Sequence, residues 1–504
     1  MVGAAVALSA VAIPKPLAID EESYLWLGRS LSFGDPYGWA RAWPGGDGFL
    51  FAHPPLHLWW MHLLSPLGAL PLMRLAALPW VALWAAASAL WIRRTCHHPE
   101  VAAVAWLGST TVVLGLQDSV MIDLPYVALF TASLAAFREG LTDRRARWML
   151  AAGVAFGLAV ETKYPAAALA VVFALHSVRS GFAPAFWAPA LAIVGGTEAW
   201  LYAQYGQWHP AVVWGTRDLI PRGPLAGRVL GALARGALLP AVPSLLLTRP
   251  VHAAVGLGLA VATLAWARPG HLEVSGVVFL LVCATLGGMA FSRSAAGLFA
   301  SPMRRRKGDR DDSLLLGGAV VVTFVGVMAL HNFASARYLL PAATPLAILL
   351  ARSAEDVNAG KRVQLLVSSL AGLLAFALAL ADWQFCAAGE TAAANALASP
   401  EATKPGYFLG EWSGRATLEA AGWTRATDVR AIPAGSRVIV LGNSGGAVPG
   451  SWQPLEVLEA SGGVPLRVVD VRDNIGLYAE TLGVLPFGLN GRALETAVIY
   501  EVAW

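Results

Sequence analysis

The chain of 504 residues is 57% hydrophobic and 13% charged, and its mean hydropathy is +0.58. This composition excludes an ordinary soluble protein and predicts a polytopic membrane protein. The net charge of +4 does not indicate nucleic-acid binding, because the basic residues recur in short loops between apolar runs. The three cysteines, Cys96, Cys283 and Cys386, lack motif spacing, so neither a disulfide framework nor a cysteine metal site is predicted.

Apolar segments of roughly 17 to 25 residues, or shorter where neighbours cover their ends, predict about thirteen membrane spans. They lie near residues 1–15, 67–92, 100–116, 124–137, 148–160, 166–178, 185–203, 229–247, 251–266, 274–291, 313–330, 340–351 and 364–381.

Alternate loops are rich in arginine, which predicts that these loops and the N-terminus are cytoplasmic. The basic residues concerned are Arg93, Arg94, Arg138, Arg144, Arg145, Arg147, Arg179, Arg249, Arg304, Arg305, Arg306, Lys307, Arg352, Lys361 and Arg362. The other side, predicted to be the outer face of a bacterial inner membrane, then holds residues 16–66, 117–123, 161–165, 204–228, 331–339 and the tail.

Two soluble segments are predicted on that outer side. The first outer loop, residues 16–66, should contain two interfacial helices, one opening at Asp20 and one near His53 to Ser65. In the tail, the strands predicted around Gly-rich turns are Arg437–Leu441, Leu466–Val471 and Ala497–Val502. The predicted fold is therefore mainly α: a transmembrane helical bundle over 1–381 and a small extracytoplasmic α/β domain over 382–504.

The first outer loop opens with three consecutive acids, Asp20, Glu21 and Glu22, followed by Tyr24. Carboxylates near a membrane face are costly unless they are used or solvated. Asp20, assisted by Glu21, is the candidate general base for an acceptor hydroxyl, and Tyr24 is a candidate substrate contact. The alternative is that Asp20 caps the helix and the two glutamates favour its positive end; both interpretations can hold together.

His53 lies directly before Pro54 and Pro55, whose fixed backbone angles make a rigid start for the next helix and orient the imidazole. The alternative is a solvated histidine at the start of an interfacial helix. Asp118 and Asp123 lie together in a short outer loop, where Asp123 is a candidate substrate contact. A plain solvated loop is the alternative there.

Lys163, one of five lysines in an arginine-rich chain, lies at another outer span end and can offer a compact charge to a phosphate. Arg337 can grip phosphate oxygens in a bidentate way, and Tyr338 follows it. With His53, these three are the candidate donor-phosphate ligands. The alternatives are a snorkelling lysine and an arginine at the headgroup boundary.

Five short motifs fall on the predicted outer side: Asp20-Glu21-x-x-Tyr24, His53-Pro54-Pro55, Asp123-x-Pro125, Lys163-Tyr164-Pro165 and Arg337-Tyr338-x-x-Pro341. In the same order, these residues resemble the protein O-mannosyltransferase and lipid A aminoarabinose-transferase group of the GT-C membrane glycosyltransferases. The resemblance covers Met1 to about Ala381, and the stretch from Gly410 to Trp423 is similar to the tails of bacterial members. One departure is that Ala52 and His53 stand where aminoarabinose transferases have an acid and a lysine.

The resemblance implies an inverting transfer from a polyprenyl-phosphate sugar, with the first-loop acid as base and no nucleotide sugar. The predicted partners are therefore this donor, membrane lipid and an acceptor outside the membrane, without nucleic acid. The sequence identifies no definite cofactor, and Asp20, Asp123 and His53 are candidate ligands for a divalent ion. The alternatives are a secondary transporter or lipid flippase, which would use charges at the bilayer midplane, and a non-catalytic scaffold.

Overall fold

The computed structural model describes the whole chain except residues 17–20, 39–52, 68–69, 119, 181–182, 217–221, 240–249, 270–271, 300–306, 357–359, 411–412, 427, 444–447 and 504. Among the sequence predictions, Asp20, Arg249, Arg304–Arg306 and residues 411–412 lie outside the described residues.

The described part of the chain is mainly helical up to residue 398. The helices are α1 Val2–Val11, α2 Glu21–Ser30, α3 Pro55–Leu64, α4 Leu70–Leu75, α5 Leu78–Thr95, α6 Pro99–Leu107, α7 Thr110–Gln117, α8 Asp123–Asp143, α9 Ala146–Thr162, α10 Leu169–Ser180, α11 Pro184–Tyr205, α12 His209–Thr216, α13 Leu225–Gly236, α14 Pro250–Ala267, α15 Val274–Phe299, α16 Lys307–Ala329, α17 Ala343–Asp356 and α18 Lys361–Ala398. Short 3-10 helices precede α10 and α17, at Tyr164–Ala168 and Arg337–Ala342.

Helices lie at the predicted spans in the described residues, and both helices predicted in the first outer loop are present as α2 and α3. Five described segments are long and apolar enough to cross a membrane: Leu72–Thr95, Pro250–Ala267, Val274–Ala296, Asp312–Ala329 and Lys361–Ala398. The bent pair α6 and α7, which meet at 58°, would make a sixth as one broken span. The mainly α membrane fold is thus confirmed, whereas the number of spans, about thirteen from sequence, stays a prediction.

Several helices pack with their backbones close together at glycines. A side chain at Gly153 of α9 would lie 2.1 Å from the carbonyl oxygen of Phe186 in α11, and one at Gly287 of α15 would lie 1.8 Å from that of Leu233 in α13. No larger residue fits at these crossings. Small residues at helix crossings are typical of membrane bundles, where close backbone approach replaces the hydrophobic driving force.

Charged residues form separate clusters near the two ends of α8. Asp123 begins the helix, and Arg138 follows fifteen residues later, about 22 Å away at 1.5 Å per residue. Arg138 pairs with Asp312 at 3.0 Å, and Arg352 lies 4.0 Å from the same carboxylate. Both arginines were predicted on the inner side, and Asp123 on the outer side, so the grouping agrees with the predicted alternation. Its direction, with the N-terminus cytoplasmic and the tail outside, stays a prediction.

The tail is built on a five-stranded mixed sheet with strand order β2-β1-β3-β9-β4. Its strands are β1 Tyr407–Leu409, β2 Thr424–Arg425, β3 Arg437–Leu441, β4 Gln453–Ala460 and β9 Glu495–Glu501, and the short strands β5 Leu466–Arg467, β6 Val469–Asp470, β7 Ile475–Gly476 and β8 Gly488–Leu489 pair outside the sheet. A short helix, α19 Arg415–Ala420, lies between β1 and β2. The three strand segments predicted from sequence therefore contain strands.

Helix α18 connects the bundle to this sheet. The predicted domain boundary, between Ala381 and Asp382, falls inside the helix, which continues unbroken to Ala398. Its last turns bury Ala388, Ala392 and Ala396 in the same apolar cluster as Ile439 and Ile499 of the sheet. The division into domains at 381/382 stays a prediction, but one rigid helix belongs to both parts.

Candidate functional site

The centre of the candidate site is an ion-pair cluster around Asp123, the first residue of α8. Lys163 follows the end of α9, and its ammonium group donates a hydrogen bond of 2.6 Å to the Asp123 carboxylate. Nε of Arg337 lies 3.7 Å from the other carboxylate oxygen. Asp123 and Lys163 are both buried. Three segments distant in sequence thus bring two cations and one carboxylate together.

Aromatic rings surround the ammonium group of Lys163. It lies 4.4 Å from the ring centroid of Tyr338 and 5.8 Å from that of Tyr126. The ring of Tyr338 stacks on His331, with centroids 4.1 Å apart. A cation over an aromatic face is stabilised by the ring quadrupole, and more strongly where water is excluded. The rings therefore add to the stabilisation that Asp123 gives the charge of Lys163.

His53 and His331 interact electrostatically with the same charges. Burial lowers the pKa of His53 well below its ordinary value, and the charge of Lys163 acts in the same direction. Burial also lowers the pKa of His331, to about 3, again with a contribution from Lys163. Both imidazoles are then neutral at neutral pH.

A buried arginine that the sequence did not single out, Arg74, binds the chain where the first outer loop begins. Arg74 donates a 2.7 Å hydrogen bond to the Glu21 carboxylate, and it also donates to the backbone carbonyls of Ala12, Ile13, Lys15 and Pro16. The Glu21 side chain is fully buried in this ion pair. This arrangement favours a structural role for Glu21 and leaves Asp20, outside the described residues, as the candidate base. Tyr24 is buried nearby, with its ring edge-on to His57.

A second buried ion cluster connects the first span to the tail. Lys15, after α1, donates a 2.8 Å hydrogen bond to Asp118 and another to Asp382 of α18, which also accepts one from Tyr478. All four side chains are buried. The sequence did not single out Lys15 as a site residue, although it is one of the same five lysines as Lys163. The cluster fixes the ends of three predicted spans relative to the tail.

The fold of the chain is similar to that of solved structures. It is similar to the apo crystal structure of ArnT from Cupriavidus metallidurans, with 15% identity and a TM-score of 0.39 over 87% of this chain and 91% of that one. It is also similar to the same protein bound to undecaprenyl phosphate, with 14% identity and a TM-score of 0.42 over 87% and 92%. No protein-family profile and no curated protein matches the chain. Similarity this low carries no argument about function, which rests on the site itself.

The structure brings together the predicted phosphate ligands Lys163, Arg337 and Tyr338 with the predicted substrate contact Asp123, and His53 lies within their electrostatic influence. Their roles as ligands stay predictions. Across the described residues, no group of three or more histidine, cysteine, aspartate or glutamate side chains is arranged to hold a metal ion. The structure does not describe Asp20, so the three-residue metal hypothesis remains open.

An acidic pair beside the cluster was not predicted. Glu161, two residues before Lys163, is buried, and neither of its carboxylate oxygens has a hydrogen-bond partner among the described residues. The carboxylate of Glu198 is its electrostatic neighbour, and accepts a 2.6 Å hydrogen bond from Tyr164. A buried carboxyl group without a partner costs stability. In the sequence, Glu161 could have been noticed because it lies two residues before Lys163, but only the lysine was singled out.

Proposed function

We propose that the chain is a membrane glycosyltransferase that transfers a sugar from a polyprenyl-phosphate donor to an acceptor hydroxyl on the outer side of a bacterial inner membrane. The observation that carries the proposal is the convergence of Lys163 and Arg337 on the buried carboxylate of Asp123. Buried cations that lie close together can bind an anion such as a phosphate. A lipid-linked phosphate is an anion that can approach from the bilayer.

The cations would act on the leaving group. When the acceptor oxygen attacks C1 of the sugar, the bond from C1 to the phosphate oxygen breaks and negative charge collects on the departing polyprenyl phosphate. Lys163 and Arg337 are positioned to stabilise that charge, and groups already fixed in place need no reorganisation during the reaction. Asp123 holds the two cations in place, and Tyr338 lies beneath Lys163.

Attack from the face opposite the phosphate inverts the configuration at C1, and the acceptor proton must leave as the bond forms. We assign that proton to Asp20, because Glu21 is already paired with Arg74 at 2.7 Å. A positioned general base typically contributes about 10² to 10⁴ in rate. In this proposal the tail, residues 382–504, lies on the outer side with the acceptor.

The test uses the purified full-length chain in proteoliposomes with a panel of synthetic polyprenyl-phosphate sugars and extracted envelope acceptors. Sugar transfer and release of polyprenyl phosphate are measured together, and lipid flipping is followed separately. We expect transfer from at least one donor, weakened by Lys163→Ala and Arg337→Ala. Matched controls are Lys361→Ala and Arg430→Ala, which remove half-exposed and exposed cations in other ion pairs.

Two results would overturn the proposal. Flipping or flux without transfer would favour the transporter alternative, because a transporter moves its substrate without breaking the glycosidic bond. Equal transfer by the Lys163→Ala variant and its Lys361→Ala control would show that the Asp123 cluster is only structural. Mass spectrometry of envelope glycans from a deletion strain would then identify the sugar and the acceptor.

A further inference from the structure

The segment from His331 to Arg337 connects α16 to the short helix that begins at Arg337, and the tail pairs with it. The amide of Ala334 donates to the Glu480 carboxylate, and the amide of Glu480 donates back to the Ala334 carbonyl at 3.1 Å. The amide of Ala336 donates to the carbonyl of Leu477 at 3.2 Å. Three hydrogen bonds thus join the tail to the residues directly before Arg337.

The tail turn that makes these bonds is itself held from the bundle. Arg235 of α13 is fully buried and donates to the carbonyls of Leu477 at 3.2 Å and Gly483 at 2.9 Å, and to that of Gly476. The packing is tight, because a side chain at Gly231 would lie 2.9 Å from Cβ of Glu480. The turn from Gly476 to Gly483 is therefore a fixed support on which the loop rests.

The other end of the same loop is also fastened to the bundle. Arg228 of α13 donates a 2.8 Å hydrogen bond to the carbonyl of His331, and the amide of Gly223 donates to that of Asn332 at 2.9 Å. The loop from His331 to Arg337 is consequently held at both ends. The bonds at Ala334 and Ala336 come from the tail, and they lie next to Arg337.

We propose that Glu480 is a positioning residue for the donor-phosphate site, because its carboxylate fixes the backbone that presents Arg337 and Tyr338 to Lys163 and Asp123. That Glu480 supports the loop is inferred from the loop geometry, whereas its effect on donor binding rests on the proposed function. It explains why a soluble tail is joined to a membrane site, since the tail completes the support of a phosphate-binding arginine. Glu480 itself does not touch the donor.

The first experiment measures, without any substrate, whether Glu480 stabilises the loop from His331 to Arg337. Hydrogen–deuterium exchange of the full-length chain in nanodiscs should show amides 331–337 exchanging about tenfold or more faster in Glu480→Ala than in the unsubstituted chain. Glu495→Ala is the matched control, because Glu495 is also a buried tail glutamate that accepts from backbone amides, at Asn443 and Thr496. Unchanged exchange at 331–337 in Glu480→Ala, or equal increases in both variants, would overturn the proposal.

The second experiment measures the consequence by binding of polyprenyl phosphate alone. Glu480→Ala should weaken binding about tenfold, and Glu480→Gln, which keeps an oxygen for the Ala334 amide, should stay within about threefold of the unsubstituted chain. In an Arg337→Ala background, Glu480→Ala should have almost no further effect, because residues that act through one another are not additive.

The two experiments separate the failure of this inference from the failure of the proposed function. If the unsubstituted chain does not bind polyprenyl phosphate, the proposed function is wrong, and hydrogen exchange alone decides whether Glu480 supports the loop. If the chain binds but Glu480→Ala and Glu495→Ala bind equally well, or the effects of Glu480→Ala and Arg337→Ala add, the positioning role is wrong.

Discussion

Removing the charge of Lys163 should lower the free energy of unfolding and weaken donor binding, and a second substitution can separate the two effects. Lys163→Met leaves the buried Asp123 carboxylate without its 2.6 Å partner, although Arg337 remains 3.7 Å away. Breaking a buried ion pair on one side costs roughly 3 to 5 kcal/mol. Because Arg337 still compensates part of the charge, we expect a loss near the lower end, about 3 kcal/mol in the free energy of unfolding.

The double variant Asp123→Asn/Lys163→Met should recover most of that stability, because it no longer leaves a buried carboxylate with a missing partner. It should not recover donor binding. A hydrogen bond to a charged group contributes about 1.5 to 3 kcal/mol, so loss of the lysine contact should weaken polyprenyl-phosphate binding roughly 10- to 100-fold.

The assay pairs denaturation of the purified chain by SDS in mixed micelles, which reports the free energy of unfolding, with binding of polyprenyl phosphate in nanodiscs. The structural interpretation of the pair fails if Lys163→Met unfolds like the unsubstituted chain. The functional interpretation fails if the double variant binds donor and transfers sugar normally, since the pair would then serve the fold alone.

The other predictions concern four further sites. Asp20→Asn should lower turnover about 10² to 10⁴-fold with little change in donor binding. If Asp20→Asn has a normal rate and Glu21→Gln is inactive, Glu21 is the base instead. Glu161→Gln should keep or raise the free energy of unfolding, because an unpartnered buried carboxyl group is costly; a loss of stability would contradict this. Lys15→Met should destabilise the chain more than Lys163→Met, because its two buried acids lose their shared cation, and SDS denaturation of both variants tests the order. Burial raises the pKa of Glu495 above its ordinary value, so the stability that its neutral form contributes is present below the ordinary pKa and is lost as pH rises through the raised pKa. Glu495→Gln should flatten this slope in denaturation midpoints measured across pH.

Much of the secondary structure followed from local patterns. Apolar runs placed helices such as α14 and α15, and alternation placed β3 at Arg437–Leu441, because hydrophobic periodicity is a property of neighbouring residues. The same patterns did not show that α6 and α7 form a bent pair, or that α18 continues for seventeen residues beyond its predicted end. Helix ends depend on the tertiary contacts that cover them.

Part of the candidate site was also predicted from patterns along the chain. Arginine alternation assigned Asp123, Lys163 and Arg337 to one side before any contact was known. Their pairing was not predictable, because partners far apart in sequence meet only through the packing of several helices. Nor could the sequence show that Glu21 is paired with Arg74.

By itself, the sequence determined that this chain belongs in a membrane and which residues are apolar enough to form its helices. It also predicted that its unusual polar residues share one side. These are consequences of composition and local period. Tertiary structure alone decided that Lys15 joins Asp118 and Asp382, and that Glu480 of the tail holds the loop before Arg337. A buried charge takes the partner that the fold brings to it, since leaving it unpaired costs several kcal/mol, and no pattern along the chain specifies which partner that is.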